Sequence, residues 1–170
     1  MGRKALSEKI SMTQKEELLT AFDEAWSFKW ESIENVVGDI TDEEALYQHP
    51  CYSNLQQEES HPPPGTILTV LVHLADCYGY YRALIIHRPE MLNVPPPLEA
   101  GNMKIAMTNL MLRRLELREA IDSLSETQFE EKIYNHKSVA QLIRMLIRHD
   151  AWHSGQIALI KRLYRNRVDA

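Results

Sequence analysis

Four stretches of this 170-residue chain repeat apolar side chains every three to four positions, while strand-like alternation every two is almost missing. The first spacing keeps one face of an α-helix apolar, so the chain is predicted to be all-α. The predicted helices cover about 14–37, 65–87, 98–123 and 138–164. Four amphipathic helices of comparable length around one core make a four-helix bundle. A chain of this length is expected to form a single domain over 1–170 and to bury about 70% of its unfolded surface. One core then suffices without disulfides or a structural metal, and any metal would be functional.

Local signals set the ends of these helices. Thr13 with Glu16 is a capping-box pattern, and Leu18, Phe22, Trp26, Ile33 and Val37 continue from it to Gly38, a plausible C-cap. Thr41 with Glu44 predicts a further short helical turn. The polar link 49–64 ends in Pro62, Pro63 and Pro64 and is expected to be a long connection or flap. The second helix, with Ile67, Val70, Leu71, Leu74, Tyr78, Tyr81 and Ile85, should be the most buried, because apolar residues also occupy its other faces. Pro89 stops it, and Pro95, Pro96 and Pro97 lead stiffly into the third. Ser125 with Gln128 is another capping candidate, followed by a short loop at 135–137 and the fourth helix, whose stripe runs through Val139, Leu142, Leu146, His149, His153, Ile157, Ile160 and Tyr164.

Composition removes several classes of function. Hydrophobic residues make 44% of the chain and charged residues 25%, with 6 Gly and 8 Pro, which excludes collagen-like and low-complexity chains. The net charge of −5 has the wrong sign for a chain that works on phosphate backbones, so no nucleic-acid partner is expected. The longest apolar run, 66–75, is interrupted by His73 and falls short of a membrane span. Two cysteines, Cys51 and Cys77, make no disulfide framework, and no signal-peptide pattern starts the chain; a cytoplasmic location is expected.

The chemistry concentrates in His149-Asp-Ala-Trp-His153. Histidines at i and i+4 share one helix face about 5–6 Å apart at Cβ, close enough to hold one metal ion. Two buried neutral histidines, or two at a wet rim, would show the same spacing. Nothing downstream of His153 is a histidine, cysteine or glutamate, so a third ligand has to come from upstream. That, with Asp150 in place of a general-base glutamate, removes the zincin reading. His73 is the best third ligand, since it falls mid-helix among apolar residues, whereas His49, His61, His87 and His136 fall in loops or at helix ends. Asp76, Cys77 and Tyr80 follow His73 at i+3, i+4 and i+7 and share its face. Cys77 is either a metal-adjacent thiol or small core filler. Asp150 should point about 100° away from His149, toward a salt bridge or a supporting hydrogen bond. Gly155 would let a helix or ligand approach, and Gln156 is placed to orient His153. The basic end of the last helix, from Lys161 to Arg167, is explained by the helix dipole.

The string Arg148-His-Asp-Ala-Trp-His-Ser-Gly-Gln-Ile157, with Leu71-Val-His-Leu-Ala-Asp76 upstream, resembles the DinB/YfiT-like superfamily. His149, His153, Ser154, Gly155 and Gln156 meet its C-terminal motif. The resemblance implies an up-down-down-up four-helix bundle, commonly a homodimer. It also implies a divalent metal, nickel or zinc, at His73, His149 and His153. Enzymes of the family include thiol transferases using bacillithiol or mycothiol and a mycothiol-dependent isomerase.

On these grounds the chain is expected to be a metal-dependent S-transferase or hydrolase acting on a small electrophile. Asp76 and Tyr80 are its candidate catalytic residues, and a low-molecular-weight thiol is a possible co-substrate. The alternative is a metal-binding or stress-associated bundle without turnover. Trp26, Trp30 and Tyr164 are the exposed aromatic candidates for a dimer face.

Overall fold

The computed structural model of the protein describes residues 12–29, 32–50, 64–87 and 101–167. Its elements, in order, are α1 (Gln14–Ser27), α2 (Ile33–Val37), α3 (Asp42–Leu46), α4 (Ile67–His87), α5 (Met103–Asp122), a 3-10 turn (Glu126–Glu130), β1 (Lys132–Tyr134), β2 (Lys137–Ser138) and α6 (Val139–Arg165). Four longer helices make an all-α bundle as the periodicity requires: α4 lies along α5 over an extended interface, and α6 packs against α1, α2 and α4. Phe22, Tyr78, Leu110, Leu117, Leu142, Leu146 and Ile157 meet in the core with no exposed surface. No helix among the described residues is long and apolar enough to cross a membrane.

The ends are set by side chains that satisfy the first-turn amides a helix leaves unpaired. Thr13, Thr41 and Ser138 each accept from the amide three residues on and are answered by Glu16, Glu44 and Gln141. Asn102 caps α5 by accepting from Ile105 N, which begins that helix later than expected. Gly65, at φ 76°, turns the chain into α4 in a backbone region that favours glycine.

The single helix expected over 14–37 is two. The backbone is extended at Phe28, with φ −65° and ψ 119°, and Ser32 starts α2 by accepting from Asn35 N. The apolar stripe spans this break with its spacing intact, which hides it in the sequence. The loop expected around 135–137 is a hairpin: β1 pairs antiparallel with β2, and Asn135 and His136 turn the chain at φ 44° and 62°.

Two placements correct the expected dimer face. Trp26 is buried, because it packs under the Arg114 guanidinium, 4.9 Å from its ring. Tyr164 is half-buried, edge-on to Tyr47 with Arg167 over its ring. Trp30, Cys51, His61, Pro89, the 95–97 prolines and most of the 49–64 connection lie outside the described residues.

The basic end of α6 does more than answer the dipole. Lys161 pairs with Asp39, Arg165 with Asp39 and Glu44, and Arg167 with Glu43. These contacts tie the last turns of α6 to the α2–α3 segment.

Candidate metal centre

Two long helices bring the chemistry together. α4 carries His73 and Cys77 one turn apart, and α6 carries His149 and His153 one turn apart, so two i,i+4 pairs face each other across the α4–α6 interface. The ring centroids of His73 lie 5.3 Å from His149 and 5.0 Å from His153, and those of His149 and His153 lie 4.3 Å apart. All three histidines expected from the sequence are therefore gathered in one place. They differ in burial: His153 is buried, His149 half-buried and His73 exposed. The expectation that His73 sits in the apolar core is corrected. Although most of its neighbours along α4 are buried, its own position faces solvent, and the cluster forms at the rim of the bundle.

The histidine nitrogens are arranged for ligation. His153 Nδ1 donates to Gln156 Oε1 over 2.6 Å, which fixes the tautomer and leaves Nε2 with its lone pair toward the cluster. That Nε2 lies 3.0 Å from His149 Nε2. Two nitrogens ~2.0–2.1 Å from one tetrahedral ion stand about 3.3 Å apart, so the pair is spaced either for a shared ion or for an N–H···N hydrogen bond. His149 Nδ1 is buried and has no partner among the described residues. Burial, followed by the neighbouring His149, holds the His153 imidazole down at about 4. Burial, then His73, lowers His149 as well. His153 is neutral at pH 7, as a metal ligand must be.

Cys77 stands beside these rings. Its Sγ is 3.5 Å from His73 Nε2, and one donor atom each from His73, Cys77 and His149 fall within 4.8 Å of one another. His153 falls outside this trio and meets it at His149, Nε2 to Nε2. Burial, then Asp76 and Asp150, pushes the Cys77 thiol up to about 11; without a cation beside it, the group is protonated.

Other candidates are placed differently. Tyr80 is half-buried and packs edge-on against Tyr81 and Tyr134, at 5.3 and 6.3 Å. Asp150, expected at a salt bridge or a supporting hydrogen bond, lies in the core and makes no salt bridge among the described residues. It is 1% exposed, and neither carboxylate oxygen has a hydrogen-bond partner among the described residues. Burial pushes Asp150 up to about 7, against the neighbouring Tyr78 hydroxyl and Arg114, which act to lower it. Gly155 is exposed, and a Cβ built on it would meet nothing within 4 Å; no helix uses the close approach it was expected to allow. Trp152, which sequence reasoning passed over, stacks on His153 at 5.4 Å and meets His149 edge-on. Its position between the two histidines is the signal that would have found it.

A family model of the DinB superfamily matches residues 16–157, most of the chain. The chain belongs to the DinB superfamily. Comparison with curated proteins and with solved structures gives no match. The all-α bundle is that expected of a DinB-like protein. Its His/Cys/His group at the α4–α6 interface is a possible site for a divalent ion, and the donor chemistry, neutral imidazole with an adjacent sulfur, fits such an ion.

Proposed function

We propose that this DinB-superfamily protein is a metal-dependent enzyme in which one divalent ion, nickel or zinc, is held by His73, His149 and His153. It would activate water or a low-molecular-weight thiol for attack on a small electrophile. The observation that carries the reading is the convergence of three imidazoles from two helices at a rim where His73 is open to solvent. When bound, such an ion supplies Lewis acidity, lowering the pKa of a bound water or thiol toward neutrality.

The chain's own groups do the rest. Gln156 holds the His153 ring at the angle that presents Nε2. Asp76, one turn from His73 on α4, would take the proton that the nucleophile loses as it forms its new bond to the electrophile. Trp152 forms an apolar wall beside His149 and His153. Tyr80, packed on Tyr81 and Tyr134, has no proton role in this reading.

The first experiment is elemental analysis of the untagged protein, repeated on His73→Ala, His149→Ala and His153→Ala. About one nickel or zinc per chain in the parent, lost in each variant with helix content retained, is the expected result. A metal-loaded protein then justifies a turnover screen with thiols and small electrophiles. Failure to retain a divalent ion even after reconstitution overturns the reading.

A further inference from the structure

The geometry points to Cys77 as a direct metal ligand, which makes this centre a mixed sulfur–nitrogen site rather than an all-histidine one. This rests on the metal reading above and adds to it the donor that selects the ion.

Cys77 and His73 occupy one face of α4, and the distance between their donors fits a shared ion. For an ion with bonds of ~2.3 Å to sulfur and ~2.0–2.1 Å to nitrogen at a tetrahedral angle, the sulfur and nitrogen are about 3.6 Å apart. Cys77 Sγ and His73 Nε2 are 3.5 Å apart. His149 closes the triangle, with all three donor atoms within 4.8 Å of one another, and His153 stands beside it with its Nε2 3.0 Å from His149 Nε2. The set therefore draws two donors from α4 and one from α6.

On binding, the sulfur gives an electron pair to the ion and its proton leaves to solvent. A thiolate in the set favours thiophilic ions of the zinc, cobalt and nickel class over magnesium or manganese.

The test uses the full-length reduced protein, stripped of metal and titrated with cobalt(II). Stoichiometric binding with a sulfur-to-cobalt charge-transfer band in the near ultraviolet is expected. That band should persist in Cys51→Ser and vanish in Cys77→Ser, with cobalt still bound through the histidines. As a check needing no variant, zinc should slow alkylation of Cys77 by iodoacetamide, read by peptide mass mapping, by about tenfold or more, since a bound thiolate is masked. Cobalt bound without the band, or a Cys77 alkylation rate that zinc leaves unchanged, overturns the sulfur ligand and leaves the histidine site standing, with a plain thiol–imidazole hydrogen bond at 3.5 Å. If the parent binds no cobalt at all, the metal reading itself falls.

Discussion

At the scale of single residues, the side chain that most tightly governs the proposed centre touches no substrate. Gln156 accepts from His153 Nδ1 over 2.6 Å, and outer partners of this kind fix the ring and the tautomer of a ligating histidine. Gln156→Ala should weaken zinc affinity by ~10–100-fold with little loss of stability, read by competition with a chromogenic chelator. The three histidines were legible in the sequence because spacing alone puts two of them on one helix face. The exposure of His73 was not, because a helix apolar nearly all round gives no phase from which to read which side faces solvent. Asp150 was read as turned about 100° from His149 toward a salt bridge or a supporting hydrogen bond; its burial was not legible, because the sequence does not show which neighbour that side of α6 meets.

Among the elements, the long helices were readable from their period and caps, and the short ones were not. Three strand residues in β1 are too few to establish an alternation, and the break at 28–32 was bridged by an unbroken apolar count; Ser32 was the available signal. The hairpin turn offers a direct check. His136 holds a left-handed backbone at φ 62°, which costs a non-glycine residue about 1 kcal/mol or more. His136→Gly should therefore raise the urea midpoint while leaving metal content unchanged.

The junction of α6 with the α2–α3 segment responds to acid. Hydrogen bonds from Lys161, then Arg165, hold the Asp39 carboxyl down at about 2 against an ordinary 3.8. Arg165 likewise lowers Glu44. A carboxyl that loses its proton more readily when folded stabilises the fold above its ordinary pKa, and that contribution disappears as pH falls through its folded value. The difference in urea midpoint between the parent and Asp39→Asn should thus shrink between about pH 4 and pH 2, and high salt should shrink it at neutral pH.

For the molecule as a whole, α1 and α5 are joined by a buried cation. Arg114 reaches the Phe22 carbonyl at 2.7 Å and lies over the Phe22 and Trp26 rings at 4.4 and 4.9 Å, while Arg118 keeps Asp23 paired nearby. Replacing Arg114 by Leu removes the bond and both ring contacts, and should lower stability by about 2–3 kcal/mol in urea unfolding. Zinc content should be unaffected, since the proposed ligands stand on α4 and α6. The four-helix architecture was readable from periodicity, whereas this cross-link was not: position 114 falls on the apolar stripe between Leu110 and Leu117, but a charge there does not reveal which rings and carbonyl it meets.

Trp152 gives the protein its own optical gauge. Its indole is 64% exposed yet stacked on the His153 ring, while Trp26 sits in the core against Arg114. An ion or ligand arriving at the histidines changes the surroundings of one surface indole and leaves the core one alone. Emission quenching at the red edge of the spectrum would report occupancy in real time without any label, and Trp152→Phe would silence it.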